Sequence, residues 1–225
     1  MNNKFKKLSV PRIVGLRNNL IGYQLPERSE NDSSVVGRYV DTLCKTLLGE
    51  IGDEKAGVDI RHLMIEVKSK DIQTNSDWTI GTMTLEDIIS KNYTDSIFYE
   101  KLQALWLIRY DNNLRIIQNS NIYYFDSDEI QEQIEKGYES CRNEVITFYN
   151  KQLIINQNAR NNALFVFENE DEFLDMGPSQ QFRGVPGYRM EYSNSGHSIK
   201  FRISIHEMNS LARQSEALNS KLFEF

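Results

Sequence analysis

Two cysteines are too few for a disulfide framework or a thiolate metal centre, and Cys44 and Cys141 fall at apolar, helix-like positions. They read as reduced core thiols of a cytoplasmic protein. Three histidines, His62, His197 and His206, share no metal-ligand spacing. No apolar run is long enough to span a membrane, and the basic start Met1 to Lys7 leads into no signal-like apolar segment. Internal repeats and low-complexity tracts are absent. Positive charge is also short: 26 Lys and Arg stand against 32 Asp and Glu, a formal net charge of −6. Nucleic-acid binding therefore requires a local basic cleft, because phosphate contacts dominate such affinities. What is present, 225 residues with 40% hydrophobic side chains, supports one large domain or two small ones with an ample core.

The densest chemistry lies in Gly57-Val58-Asp59-Ile60-Arg61-His62-Leu63-Met64-Ile65-Glu66-Val67-Lys68. Alternation puts Glu66 and Lys68 on one face of a half-buried strand, with Ile65 and Val67 on the other. A short hairpin around Arg61-His62 would bring Asp59 alongside Glu66. Facing carboxylates can hold a divalent cation, and an adjacent ammonium can meet a phosphate or an attacking water. This is the chemistry of metal-dependent phosphodiester hydrolysis. The competing reading is an edge strand whose charges form surface ion pairs. Asp53-Glu54-Lys55, with the same spacing but no apolar frame, reads as a solvated loop.

Around this segment the patterning predicts a mixed sheet flanked by helices. Residues 1–32 are mixed, and Glu27 to Asp32 reads as an exposed loop. Ser33 or Ser34 caps a helix carrying Val35, Val36, Tyr39, Val40, Leu43 and Leu47, ended by Gly49. The hairpin of this segment follows at 57–70, a strand at Trp78-Met83, a short helix at Leu85-Ser90, a hairpin over Leu105-Tyr110 and Leu114-Ile117, and a strand at Ile122-Phe125. The longest helix is expected at 127–150. A polar connector, Asn156 to Asn162, then precedes a strand at Ala163-Phe167. Gly177 to Gly187 reads as a loop, Arg189-Tyr192 and Ser198-Ile203 as a hairpin around Ser193 to Gly196, and Ser204 to Glu207 as the capping box of a final helix.

This order of elements resembles the MutH-like branch of the PD-(D/E)xK nucleases, the branch of the BcnI- and MvaI-type restriction endonucleases, over residues 34–213. Val35 to Asp41 is similar to the family's opening helix, Gly57 to Lys68 to its active-site hairpin, Lys101 to Trp106 to a segment holding a second lysine, and Gly196 to Arg213 to its closing strand and helix. The resemblance implies a restriction-endonuclease-like α/β (α+β) fold across 1–225, with a catalytic core at 33–150 and a strand-rich DNA-recognition subregion at 151–225. It implies Asp59 and Glu66 as ligands of Mg²⁺ (Mn²⁺ substituting), with the Val67 carbonyl nearby and Asp41, which periodicity places off the most apolar face, as a further member. Lys68 would orient or deprotonate the attacking water, and Lys101 would touch a phosphate. Lys70, Gln180, Gln181, Arg183, Arg189 and Lys200 are the candidate contacts to double-stranded DNA, since Gln matches adenine and Arg guanine. The activity implied is a type II restriction endonuclease leaving 5′-phosphate and 3′-hydroxyl ends, acting as a monomer or a homodimer. The alternatives are a mismatch-repair nicking enzyme and a non-catalytic DNA-binding module of the same fold.

Overall fold

A computed structural model describes residues 7–27, 35–49, 58–162, 180–193 and 198–221. The capping serines 33 and 34, Gly57, the loop at 53–55, the strand expected at 163–167, His197 and the turn at 194–196 lie outside the described residues.

The chain is a mixed α+β protein with two sheets flanked by helices. Helix α1 (Val10–Leu20) was not expected from its mixed composition. It starts after Ser9 with proline in its first turn, where a missing N–H costs nothing, and buries Leu16 and Leu20. Helix α2 (Val35–Leu48) buries Val36, Val40 and Cys44, and Gly49 follows with φ of +74°, the left-handed geometry that ends helices. Strand β1 (Ile65–Asp71) leads to β2 (Trp78–Thr84), α3 (Leu85–Ser90) and α4 (Ile97–Lys101). Thr84 and Ser96 cap the two short helices through their side chains. Next come β3 (Ala104–Asp111) and β4 (Ile116–Tyr124). Of the two separate strands expected at 114–117 and 122–125, Ile116-Ile117 and Ile122 to Tyr124 are the ends of this one strand, because Asn119 to Asn121 stay in register with β3 despite their polarity; Leu114 and Arg115 belong to the turn and Phe125 lies beyond the strand.

Helix α5 (Asp128–Asn162) absorbs the polar stretch read as a connector, since asparagine and glutamine disfavour helix only weakly. Within the expected loop, residues 181–183 instead form β5 (Gln181–Arg183), which pairs with β6 (Tyr188–Ser193). Strand β7 (Ser198–Ile203) and helix α6 (Ile205–Lys221) follow. Only half of the final capping box forms. Ser204 Oγ accepts the Glu207 N–H at 3.1 Å, but the Ser204 N–H goes to the Gly187 carbonyl, and Glu207 Oε1 accepts from Tyr188 and Gln133. The carboxylate thus docks α6 on β6 and α5 rather than closing its own helix end.

The first sheet has the order β1-β3-β4, with β1 parallel to β3 and β4 antiparallel to it. The second, β2-β7-β6-β5, is antiparallel throughout. Alternation along β3 divides the protein: Ala104, Trp106 and Ile108 join the core beneath α1 and α2, whereas Leu105 joins the core shared by α5, α6 and the second sheet. Cys44 and Cys141 are free thiols, one in each core. Among the described residues no helix is long and apolar enough to cross a membrane.

Candidate active site

The expected hairpin before β1 is reduced to its tightest form. Ile60 and Ile65 exchange backbone hydrogen bonds of 2.9 and 3.1 Å across a 3-10 turn at Arg61–Leu63. Met64 closes the turn at φ of +53°, a left-handed geometry costing a non-glycine residue about 1 kcal/mol. The consequence is local and useful. Asp59 is folded back along the outer edge of β1, where its Oδ2 accepts the Val67 N–H at 2.8 Å.

Glu66 is the buried centre. Its residue is 1% exposed, far more enclosed than the half-buried strand expected. Lys68 Nζ and Lys101 Nζ both lie 2.6 Å from Glu66 Oε1. Burial raises the Glu66 pKa; the two lysines act against that rise, and Asp59 adds to it. Lys101 arrives from the end of α4, its aliphatic stem passing over Gly81 of β2, where an added Cβ would stand 3.3 Å from Cδ. Side-chain bulk at 81 would therefore push directly on this ammonium.

Helix α2 packs on β1 and closes the other side of the site. Asp41 and Lys45 are one turn apart and paired at 2.8 Å, and Lys45 Nζ also stands 3.5 Å from Asp59 Oδ1. Asp41 therefore reaches the site rather than solvent alone. Its carboxyl is raised mainly by burial, and Lys45 opposes that rise. Burial works against the Lys45 ammonium too, but its bonds and charge interactions with Asp41 and Asp59 outweigh this and its pKa rises. Asp41, Asp59 and Glu66 thus meet Lys45, Lys68 and Lys101, three charges of each sign. Lys45 was absent from the sequence reading, although its i,i+4 spacing from Asp41 was a visible signal.

Two oxygens in the cluster, Glu66 Oε2 and Asp41 Oδ1, are buried without a hydrogen-bond partner. A buried carboxylate oxygen left this way is costly unless a cation or water completes it. Among the described residues no three Asp, Glu, His or Cys side chains converge as a metal cage. Mg²⁺ does not need one, because it is commonly held by one or two carboxylates together with water and substrate phosphate. The all-oxygen character of Asp59, Glu66 and the neighbouring backbone fits such a hard ion.

The candidate DNA contacts distribute unevenly. Gln181, Arg183, Arg189 and Lys200 lie on the outward face of the second sheet, opposite Phe182, Met190 and Phe201. Gln180 precedes β5, with its carbonyl accepting the Tyr192 N–H at 2.9 Å, and does not join that face through the strand. Lys70 continues the Glu66-Lys68 face of β1; its Nζ sits 4.4 Å from the Trp78 ring centroid and donates to the Ser76 carbonyl. His62 is exposed in the 3-10 turn and His206 is exposed on α6. Arg109 and Arg202, both missed in the sequence, stand close enough to Lys70 for their charges to act on it. Arg109 was illegible because its neighbour across the parallel β1–β3 pairing, Lys70, is remote in sequence.

No protein-family profile matches the chain, and no curated protein is significantly similar to it.

Proposed function

We propose that this protein is a Mg²⁺-dependent endonuclease acting on double-stranded DNA, with Asp59, Glu66 and Lys68 as its catalytic centre. The observation that carries the reading is Glu66: a nearly fully buried carboxylate with one oxygen held by two lysines and the other unpartnered, beside Asp59. A structural ion pair gains little from such burial, since desolvating the charges offsets most of their attraction. A site that must accept a divalent ion and a phosphodiester has reason to bear that cost.

Asp59 and Glu66, with the Val67 carbonyl, would hold the ion, and Asp41 would supply a further oxygen through water. The bound ion would polarise the scissile phosphate and lower the pKa of the attacking water. Lys68 orients that water and takes up negative charge developing on the phosphoryl oxygens. Lys101, sharing Glu66 Oε1, fixes the carboxylate and meets a phosphate oxygen. The cluster is balanced at three acids and three lysines; one divalent ion gives it a net charge of about +2, matched to the extra negative charge of the transition state. In-line attack of the water on phosphorus opposite the 3′ oxygen forms the new P–O bond and breaks the bond to that oxygen; the water gives its proton to solvent, the 3′ oxygen takes one from solvent, and the products are a 5′-phosphate and a 3′-hydroxyl. A restriction activity on palindromic sites would use a twofold homodimer, because protein symmetry then matches site symmetry.

The test is cleavage of long, sequence-diverse DNA with Mg²⁺ by the wild type, Glu66→Ala and Lys68→Ala. We expect discrete fragments from the wild type and a loss on the order of 10²-fold or more in each variant. A folded wild type that cuts nothing, or variants that cut normally, would overturn the assignment. Nicks confined to one strand would instead identify the nicking enzyme.

A further inference from the structure

Strand register places charged side chains of the second sheet in two rows. Thr79, Arg202, Arg189 and Arg183 form one row across β2, β7, β6 and β5, and Thr82, Lys200, Glu191 and Gln181 form the next. Phe201, Met190 and Phe182 alternate with them into the core, so both rows share the outward face. At the inner end of the first row Lys70 comes up from β1, with Arg109 beside it in register on β3. Six cations, Lys70, Arg109, Arg183, Arg189, Lys200 and Arg202, thus surround two matched acids. Asp77 lies 2.8 Å from Arg189 Nε and Glu191 lies 2.9 Å from Arg202 Nε. The Nε of Arg109 is buried without a hydrogen-bond partner. Two carboxylates thus neutralise only part of the positive charge gathered on this face.

We propose that this sheet face, with Lys70 and Arg109, is the seat for the phosphate backbone of duplex DNA entering the acidic cluster. The inference rests on the nuclease reading for the direction in which the DNA runs. Strands about 4.8 Å apart spread Arg202 to Arg183 over about 10 Å, too far for one phosphate and suited to a regular polyanion. Four residues of β1, about 13 Å, separate Lys70 from Glu66, so one duplex can span both. In a molecule of net charge −6 such a local basic field is what a polyanion requires. Burial, and then the charges of Arg109 and Arg202, work against the Lys70 ammonium while Asp77 opposes them in part, and a phosphate would add to that opposition. Backbone contacts of this kind position DNA without reading its sequence.

The experiment is the binding of a fluorescent duplex to the full chain over a series of KCl concentrations, without divalent metal. Arg202→Gln and Lys200→Gln should each weaken binding several-fold, independently of DNA sequence, and reduce the salt slope by about 1. Arg202→Lys keeps the charge and should keep the slope. Arg12→Gln, an equal charge change at an exposed position of α1, should alter neither quantity. Unchanged slopes in Arg202→Gln and Lys200→Gln would overturn the seat, as would an equal loss in Arg12→Gln. Inorganic phosphate competing as strongly as duplex at equal phosphate concentration would also overturn it, marking a single-anion pocket. Cleavage by the wild type with unchanged slopes in the variants would remove the seat and leave the nuclease. Slope losses without any Mg²⁺-dependent cleavage would keep the seat and remove the nuclease.

Discussion

Lys45 is an ammonium at the place where two carboxylates need a counter-ion. Asp41 pairs with it at 2.8 Å and Asp59 approaches it at 3.5 Å, so removing its charge leaves two acids facing each other. Lys45→Met should cost about 1 kcal/mol of stability in the absence of metal, the upper range for a partly exposed pair. Mg²⁺ should then raise the melting temperature more in the variant than in the wild type, because cation binding replaces the missing charge. Equal metal-induced shifts in both proteins would show that Lys45 does not hold the acid pair together. Lys70 makes a second residue-scale prediction. Burial first, then Arg109 and Arg202, lower its pKa to about 8, and Asp77 only partly opposes this. An unfolded lysine holds its proton to about pH 10.4, so between those values the unfolded chain binds more protons and stability rises with pH. Below about pH 8 both states are protonated and Lys70 contributes no slope. Urea midpoints should therefore climb from pH 8 towards 10 in the wild type, and this increment should vanish in Lys70→Met. A parallel climb in the variant would assign it elsewhere.

At the scale of elements, α5 packs so closely on β6 that a glycine is required between them. A Cβ at Gly137 would stand 2.4 Å from the Tyr188 ring. That ring cannot give way, since it stacks on Phe201 and its hydroxyl bonds Glu207 at 2.9 Å. Alanine gains up to about 1 kcal/mol of helix propensity over glycine, whereas overpacking costs roughly 1–3 kcal/mol. Gly137→Ala should accordingly be less stable than wild type by about 1–2 kcal/mol in urea unfolding, and a stabilised variant would mean that the contact is loose. Element legibility divides on the same physics. Leu85–Ser90 was readable to its ends because Thr84 supplies a local cap. The extent of β4 was not, since Asn119 to Asn121 are held in the strand by pairing with β3 alone. The half-formed capping box at Ser204 was misread because Glu207 is claimed by Tyr188 and Gln133, partners remote in sequence.

Across the whole molecule, β3 belongs to both cores, with alternate residues packed into each. The two tryptophans fall one in each, Trp78 on β2 of the second sheet and Trp106 beneath α1 and α2. Because a shared central strand cannot be lost from one core alone, unfolding should be a single cooperative transition. Trp78→Phe and Trp106→Phe variants each leave one reporter, and within each the fluorescence and circular dichroism midpoints should coincide. Separated midpoints would mean that the two cores melt independently.

Local pattern alone determined the apolar face of α2 and of the first part of α5, the alternation of β1, the C-terminal strand pair and the grouping of Asp59, Glu66 and Lys68. Each of these depends on residues a few positions apart, where period and covalent geometry decide. Tertiary structure alone decided that Glu66 is almost fully buried, that Lys101 shares its oxygen, that Lys45 bridges Asp41 and Asp59, and that Arg109 and Arg202 gather around Lys70. Those arrangements join strands and helices far apart in sequence, and their energies arise from burial and charge proximity that exist only once the two sheets have packed.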